Sequence, residues 1–359
     1  MNMKCRRLIA AVAVLCLVLG LSACKGNQNQ VQYGGPDTDA NGVKRQVYQY
    51  TALDTDCTVT VLGDFDDGFG KIAEEATNTY GNLLGLDPAT NLYAATKNND
   101  VLQLNDEQYE TIKKGYEICQ LSGGSFDLTI GSLTRLWNIG QATQPPAEYE
   151  ILREKEYVDY QKLQFDDANK QIIMPTYGQV LDVGGLAKGY AGQRVAQALQ
   201  EAGYTCGIVD LGGNVTVYGT REGTDAFRVG IQNPIDDETS KDIIGEIQCN
   251  DVSVVTSGSY ERYFEYEGKR YHHILNPATG YPADTDLLSV TIVSKDGAYA
   301  DALSTAAFVK GFTGCLEMLN NAISEGKIEG AVLVNNRSNV LVLGNVSFQI
   351  TNSDFSMYQ

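Results

Sequence analysis

Short apolar runs alternate with amphipathic helical segments along most of the chain, and this pattern constrains the fold more than any other feature. Strand-like runs cover residues 48–52, 57–62, 172–174, 180–183, 206–210, 215–218, 227–231, 245–248, 253–257, 260–267, 331–334 and 340–343. Helical spacing covers residues 67–85, 105–122, 186–202, 298–310 and 312–324. Because many strands are joined by hairpin-length connections, we predict an α+β fold with mixed or antiparallel sheets flanked by helices, not a doubly wound parallel sheet.

The N-terminus has the organisation of an export signal. Three basic residues precede the apolar run Leu8–Gly20, which is too short for a comfortable transmembrane helix. The next four residues, Leu21–Cys24, resemble a bacterial lipobox, in which the cysteine is linked to diacylglycerol and becomes the new N-terminus. The alternative is an ordinary secretory signal followed by a chance cysteine.

These features predict three parts of the chain. They are a lipoprotein signal peptide over residues 1–23, a flexible tether over residues 24–46 that starts at a lipidated Cys24, and a folded domain over residues 47–359. The formal net charge of -18 argues against nucleic acid and anionic lipid surfaces as partners. An acyl anchor would therefore hold the protein at the extracytoplasmic face of the cell membrane.

The remaining cysteines are scattered singly, at Cys57, Cys119, Cys206, Cys249 and Cys315. Because no pair has C-x-x-C spacing, a zinc site or a thiol redox motif is disfavoured. We predict buried apolar thiols, with a disulfide between two distant cysteines as the alternative.

A strand-like run passes through two glycines directly into a helix at Leu181–Tyr190. The free N–H groups of a helix N-terminus, together with Lys188, would bind an anion. The alternative is a tight connection with a solvated lysine. The segment matches neither the Rossmann nor the P-loop pattern.

Two further groups carry candidate chemistry. Asp301, Ser304 and Thr305 have helical spacing that would direct three oxygens the same way, which suits Mg²⁺; the alternative is a helix start with small hydroxyl residues. His272 and His273 are the only histidines in the chain. Because neighbours on a strand point to opposite faces, we predict one histidine in a site and the other at the surface, and no metal bound by both.

Together these segments resemble the ApbE family of FAD:protein FMN transferases, over about residues 50–349. The matching motifs, in order, are Ser125–Thr129 with Leu136–Trp137, Asp182–Tyr190, Asp210–Asn214, Arg228–Pro234, Thr256–Gly258 with Tyr260–Arg262, His273–Pro277 with Thr279–Pro282, and Ala300–Thr305. The resemblance implies a two-lobed fold with the flavin site between the lobes. It also implies Mg²⁺-dependent transfer of FMN from FAD to a Thr or Ser hydroxyl of an exported acceptor with an FMN-binding domain, with release of AMP.

The resemblance also assigns residues. His273 stands at the position of a proposed catalytic base. The metal ligands it implies are Asp301, Ser304, Thr305 and the carbonyl of Gly185. The FAD contacts it implies are Leu53, Ser125, Phe126, Asp127, Asp182, Lys188, Thr256, Ser257, Gly258 and Ile274.

Two segments depart from the family pattern. Leu53-Asp54-Thr55 stands where the family often has Met-Gly-Thr, and Leu84–Pro88 lacks an aromatic residue that could stack on a ring. Three alternatives remain open: an FAD pyrophosphatase that forms FMN and AMP, a lipid-anchored FAD-binding protein, and a structural surface lipoprotein. The first would use the same phosphate and metal groups, with water as the acceptor.

Overall fold

A wide, mainly antiparallel sheet organises the molecule. The computed structural model describes residues 32–38, 43–63, 65–84, 101–220, 226–235 and 242–359. Within these residues the strands are β1 (Gln32–Thr38), β2 (Lys44–Ala52), β3 (Thr55–Leu62), β4 (Val101–Gln103), β5 (Gln164–Asp166), β6 (Gln171–Ile173), β7 (Gly207–Leu211), β8 (Asn214–Tyr218), β9 (Phe227–Gln232), β10 (Ile243–Cys249), β11 (Val252–Gly258), β12 (Tyr263–Tyr266), β13 (Lys269–His272), β14 (Leu287–Ser294), β15 (Gly330–Asn335), β16 (Asn339–Gly344), β17 (Ser347–Ile350) and β18 (Ser356–Met357).

The largest sheet has the order β1-β2-β3-β7-β8-β11-β14-β15-β16-β18. Its β16–β18 pair is parallel and its other neighbours are antiparallel. Smaller sheets have the orders β17-β10-β9, β4-β6-β5 and β12-β13. The helices are α1 (Phe69–Leu83), α2 (Asp106–Ser122), α3 (Gly131–Trp137), α4 (Glu148–Lys155), α5 (Gly184–Glu201), α6 (Gly297–Gly314) and α7 (Leu316–Ser324).

The side-chain pattern of each strand explains its place in the large sheet. In β3, Cys57, Val59 and Val61 are buried at alternate positions, as expected for a strand with one covered face. All residues of β15 are buried, so this strand is covered on both faces. Helices α1, α5 and α6 cover one face of the large sheet, and the β9-β10-β17 sheet packs on the other.

Two glycines allow α5 and α6 to cross in close contact. A Cβ atom added at Gly189 would lie 2.0 Å from the carbonyl oxygen of Gly297, and one added at Gly297 would lie 2.2 Å from that of Gly189. Both distances are below any that real Cβ atoms show, so neither position has room for a side chain. This crossing places the N-terminal half of α6 against the first turns of α5.

Several predictions are confirmed. The α+β fold with mixed, mainly antiparallel sheets is observed, and so is the opening hairpin, as β2 and β3. The helix predicted over 105–122 is α2, where the Asn105 side chain and Gln108 form a capping box and Gly123 ends the helix in the left-handed region. The five cysteines among the described residues are free, four of them buried, and burial raises the pKa of Cys206 to about 11.

Other predictions are wrong. Residues 180–183 form no strand, since Val180 makes a single bridge to Ile130. The central strand β14 was not predicted, although its apolar run is covered on both faces. Residues 32–38 and 44–46 belong to β1 and β2 and not to a tether, because strands pair through their backbones and can do so with few apolar side chains.

The remaining domain predictions have different outcomes. Val31–Gln359 form one compact unit. The predicted signal peptide and Cys24 lie outside the described residues, as does most of the segment Leu84–Pro88. No helix among the described residues has the length and apolar character needed to cross a membrane.

Candidate active site

A cavity of about 820 Å³ lies where six parts of the chain meet. Its walls are the β2–β3 turn, the segment from Ser125 through α3 to Gln141, the start of α5, the ends of β8 and β11 with the loop that follows β11, the segment His273–Pro277, and one face of α6. A volume of this size lies within the range of small-molecule and cofactor sites.

Most of the residues that the sequence assigned to a site line this cavity. They are Leu53, Ser125, Phe126, Asp127, Asp182, Gly185, Lys188, Thr256, Ser257, His273, Ile274, Asp301 and Thr305. Gly258 and Ser304 are not among the lining residues. The contacts assigned to FAD stay predictions, and the structure shows only that these residues share one cavity.

The Asp301 carboxyl is enclosed between α5 and α6. It is 5% exposed, and its Oδ2 accepts a hydrogen bond of 2.9 Å from the Gly189 N–H. Burial raises the pKa of Asp301, while the Lys188 charge and the Gly189 N–H act in the opposite direction. A carboxyl group that is desolvated in this way gains from a bound cation.

The oxygen atoms around Asp301 fit a hard divalent cation. Thr305 and the backbone of Gly185 line the same cavity, and carboxylate, hydroxyl and carbonyl oxygens are the protein ligands that Mg²⁺ prefers. The described residues contain no group of three or more His, Cys, Asp or Glu that could hold a metal. A magnesium ion here would therefore rest on one carboxylate and several neutral oxygens.

The Ser304 hydroxyl does not point in the same direction as the Asp301 carboxyl group and the Thr305 hydroxyl. The prediction that all three oxygens face the same way is therefore wrong. The Ser304 hydroxyl donates 2.8 Å to the Asp301 carbonyl three residues earlier and lies 2.7 Å from the Ser257 hydroxyl. Helical serines often bond back to their own helix in this way. Ser304 is fully buried and supports Ser257, whose hydroxyl is also 3.3 Å from that of Thr305.

The N-terminus of α5 lies at the cavity and brings the positive end of the helix dipole together with Lys188. Asp182 Oδ1 accepts a hydrogen bond of 2.8 Å from the Gly184 N–H, which holds the turn before the helix. Lys188 is half-buried rather than solvated. Its charge lowers the pKa of Asp301, Asp210 and Glu261, although burial raises each of them by more.

The two histidines point to opposite sides, as predicted. His273 lines the cavity, and its Nδ1 is buried without a hydrogen-bond partner. Burial, followed by the Arg262 and Lys188 charges, lowers the pKa of His273 well below its usual value. The prediction that the other histidine lies at the surface is wrong, because His272 is buried. Its Nε2 contacts the Ala283 carbonyl at 3.0 Å, and its ring packs edge-on against Phe308.

Asp127 has a structural role in addition to its place in the lining. Its Oδ1 accepts hydrogen bonds from the N–H and hydroxyl of Thr129 at 2.8 and 2.6 Å, and its Oδ2 accepts from the Tyr160 N–H at 3.1 Å. These bonds fix the turn that carries Ser125 and Phe126. Burial raises the pKa of Asp127, and the three bonds oppose that effect.

The sequence did not single out several residues of the cavity. Asn214 is 3% exposed with Oδ1 unpartnered, and Glu261 and Arg262 stand beside Lys188. All three lie in segments that carry the family resemblance, but none has a spacing that signals chemistry. An apolar part of the lining was also missed: Ile130, Trp137, Ile139 and Leu275 belong to one cluster.

This cavity combines an apolar, aromatic wall with a cationic, oxygen-rich region at a helix N-terminus. Those features have the character of a site for a ligand that carries both rings and phosphates. The ApbE family model matches residues 53–329, and the chain belongs to the ApbE family.

Relatives with known names agree with this assignment. The chain is 37% identical over 193 residues to an FAD:protein FMN transferase of Klebsiella pneumoniae, a match that covers 53% of this chain and 58% of the relative. An FAD:protein FMN transferase of Treponema pallidum is 34% identical over 218 residues, covering 57% of this chain and 60% of the relative. These two matches therefore span less than two thirds of each relative. A Vibrio cholerae FAD:protein FMN transferase is 26% identical over 309 residues, covering 85% and 88%.

Solved structures have the same fold. The ApbE protein of Thermotoga maritima superposes with a TM-score of 0.71 at 28% identity, over 85% of this chain and 96% of that protein. The flavin transferase ApbE of Vibrio cholerae superposes with a TM-score of 0.70 at 19% identity, over 87% and 98%, and supports the fold.

Proposed function

We propose that this protein is an FAD:protein FMN transferase that joins FMN to a threonine or serine hydroxyl of an exported acceptor with an FMN-binding domain. One observation carries the proposal: a single cavity joins the apolar wall around Trp137 to Lys188, the α5 N-terminus and the buried Asp301. Family membership and the names of the relatives support FAD as the ligand.

The proposed reaction exchanges one phosphorus–oxygen bond for another. The acceptor hydroxyl oxygen attacks the phosphorus of the FMN half of FAD, and the bond from that phosphorus to the bridging oxygen breaks. The bridging oxygen leaves with AMP, and the hydroxyl proton passes to a base. No group is oxidised or reduced, so positioning and charge stabilisation supply the catalysis.

His273 has the properties of the base. Its lowered pKa keeps the imidazole neutral near pH 7, so that a nitrogen lone pair is free to accept a proton. Its ring lines the cavity that an acceptor hydroxyl would enter. His272 cannot share this role because it is turned toward Phe308.

Positive groups would bind the pyrophosphate. Asp301, Thr305 and the Gly185 carbonyl would hold Mg²⁺, which when bound would neutralise charge on the phosphate oxygens. Lys188 adds a full positive charge, and the positive end of the α5 dipole favours a phosphate group beside it.

We also propose that the mature protein is a lipoprotein anchored through Cys24 on the extracytoplasmic face of the membrane. The support is the sequence alone, in the lipobox-like Leu21–Cys24 after the apolar run Leu8–Gly20. Expression in a bacterium followed by membrane fractionation and mass spectrometry tests it. Lipidated Cys24 at the new N-terminus is expected, and the Cys24→Ser protein should no longer fractionate with the membrane.

The proposed reaction is tested with the full-length protein in detergent, FAD, Mg²⁺ and a purified FMN-binding domain as acceptor. The expected result is an Mg²⁺-dependent mass gain of one FMN on the acceptor, with one AMP released per transfer. Free FMN and AMP with an unmodified acceptor would instead indicate an FAD pyrophosphatase. Intact FAD would indicate a binding protein.

A further inference from the structure

A second cavity, of about 320 Å³, adjoins the first. It shares five lining residues with the larger cavity: Leu53, Asp54, Lys188, Glu261 and Arg262. Its remaining lining residues are Thr55, Gly212, Gly213 and Gln232, which do not line the larger cavity. The two cavities therefore meet at the cationic region that contains Lys188.

We propose that the smaller cavity receives the hydroxyl-bearing segment of the acceptor polypeptide, while FAD occupies the larger cavity. The inference rests on the proposed function, which has two substrates. Both substrates must reach the same phosphorus atom, and Lys188 marks that position because its charge would bind the phosphates. The smaller cavity leads to Lys188 along residues that do not line the larger cavity. A polypeptide in the smaller cavity could therefore approach Lys188 while FAD occupies the larger one.

The walls of the smaller cavity favour a narrow, extended segment. Two tight turns form part of them: Leu53–Asp54 between β2 and β3, and Gly212–Gly213 between β7 and β8. A Cβ added at Gly212 would lie 2.2 Å from the Thr55 hydroxyl, so the turns are packed without space for another side chain. A volume at the low end of binding-site sizes accommodates a few small residues and excludes a folded domain.

The conformation of Leu53 indicates that this wall is built to a specific shape. Leu53 and Asp54 both have a φ of 55°, in the left-handed region that a leucine rarely adopts. The Leu53 side chain fills the space above Gly81 of α1, where an added Cβ would lie 2.2 Å from Leu53 Cδ2. A two-residue hairpin loop of type I′ requires positive φ at both central residues, so the pairing of β2 with β3 fixes the shape of this wall.

Glu261 stands at the junction of the two cavities. Its Oε1 lies 3.7 Å from the position of a Cβ on Gly213, on the side of the smaller cavity. The positive charges of Lys188 and Arg262 both act on this carboxyl group. A carboxyl group in this position can accept a hydrogen bond from a hydroxyl that enters from the smaller cavity and moves toward Lys188.

Gln232 provides a selective test. It lines the smaller cavity and lies on β9, where residues at alternate positions share a face. Arg228 is on the same face of the same strand but lines neither cavity, so it offers a matched control. In the full-length protein, Gln232→Trp would block the smaller cavity, and Arg228→Trp would add the same side chain outside it.

The assays separate the two substrates. Flavin fluorescence measures FAD affinity, release of AMP without acceptor measures FAD cleavage, and the mass of a purified FMN-binding domain measures transfer. For Gln232→Trp we expect the KM for the acceptor to rise about tenfold or more, with FAD affinity and acceptor-independent cleavage within about twofold of the parent. For Arg228→Trp all three quantities should stay within about twofold of the parent.

The other outcomes are distinct. If the parent transfers FMN and Gln232→Trp transfers it equally well, the acceptor enters elsewhere and the inference is wrong. If Gln232→Trp melts like the parent but loses FAD affinity, the smaller cavity belongs to the nucleotide site. If it melts at a lower temperature, Gln232→Lys replaces it as a flexible blocking side chain. If the parent modifies no acceptor, the proposed function fails, and this inference fails with it.

Discussion

The carboxyl group of Asp301 is enclosed in protein, yet its partners are a helix N–H and the cations Lys188 and Arg262. Isolated buried charges are costly, so a carboxyl group in such a place needs compensation. The Gly189 N–H and Lys188 supply part of it. A divalent cation shared with Thr305 would supply the rest, which explains an acidic residue beside a phosphate site.

Asp301→Asn keeps the size of the side chain and removes its charge. We expect Mg²⁺ affinity to fall and FMN transfer to decrease about 100-fold or more, because charge stabilisation at the reacting phosphate is lost. Titration calorimetry measures the metal affinity separately from turnover. Asp167→Asn is the control, since Asp167 is an exposed carboxyl group that pairs with Lys113 outside the cavity. Parent-like Mg²⁺ binding in Asp301→Asn would remove Asp301 from the metal site.

His273 links the site to pH. Burial and the Arg262 and Lys188 charges lower its pKa in the folded state below the value of about 6.5 for a free side chain. The unfolded chain therefore binds more protons than the folded chain once the pH falls below about 6.5. The contribution of His273 to stability is fully present above that pH and decreases as the pH falls.

His273→Asn removes this titration. We expect the free energy of unfolding of His273→Asn to decrease less between pH 7 and pH 5 than that of the parent, as measured by urea titration at both values. His272, whose pKa burial also lowers, remains in both proteins and so cancels in the comparison. An equal decrease in the two proteins would show that His273 titrates normally in the folded state.

At the scale of elements, the contact between α5 and α6 sets the position of Asp301. Gly189 and Gly297 have no room for a side chain, so the two helix backbones touch. We expect Gly189→Ala to lower the free energy of unfolding by about 1–3 kcal/mol through overpacking, and to weaken Mg²⁺ binding as Asp301 moves.

Gly314→Ala is the matched control for that contact. A Cβ at Gly314, the last residue of α6, would make only an ordinary contact of 3.6 Å with Lys310. Alanine favours a helix over glycine by up to about 1 kcal/mol, so this variant should be neutral or more stable. Thermal melts and metal titrations of both variants make the comparison. Parent-like behaviour of Gly189→Ala would mean that α6 can shift without disturbing Asp301.

Local signals in the sequence predicted the elements whose ends are determined locally. The helix α2 is an example, because Asn105 caps it and Gly123 ends it. Elements that depend on distant partners were predicted less well. Val180, Leu181 and Val183 are apolar because they are buried, not because they pair, and β1 forms because it pairs with the edge of β2. Neither fact is visible in a single segment.

The site residues also differ in whether a local sequence signal identifies them. Asp301, Lys188 and His273 were found because charge, glycines or a rare residue type stood out in the sequence. Asn214 and Glu261 were not, because ordinary polar residues at hairpin ends carry no local sign of their surroundings. Only the pairing of distant strands brings them to the cavity.

At the scale of the whole molecule, the large sheet aligns the ends of neighbouring strands. Ala52 pairs with Thr55 across the β2–β3 turn, and Leu211 pairs with both Cys57 and Asn214. Asn214 in turn pairs with Val255, directly before Thr256. The turns around both cavities therefore lie at one end of the sheet, and the helices α5 and α6 close that end with Lys188 and Asp301.

A ligand that contacts so many separate segments should stabilise the molecule as a unit. FAD at about 100 times its Kd adds about 2.7 kcal/mol to the free energy of unfolding if it binds only the folded state. Mg²⁺ that shares the phosphates with Lys188 should increase this gain, and the coupling must be reciprocal: each ligand raises the affinity of the other by the same factor. Thermal melts with neither ligand, each ligand alone and both together measure it.

The Lys188→Met protein tests whether the coupling passes through the phosphate region. Bonds to charged groups contribute about 1.5–3 kcal/mol, so at a fixed FAD concentration this variant should lose most of the FAD-dependent shift. Lys113→Met is the control, since Lys113 pairs with Asp167 and lines neither cavity. If the melting-temperature shifts caused by FAD and by Mg²⁺ are simply additive in the parent, the binding of one ligand does not affect the binding of the other. A full FAD shift in Lys188→Met would move the phosphates away from α5.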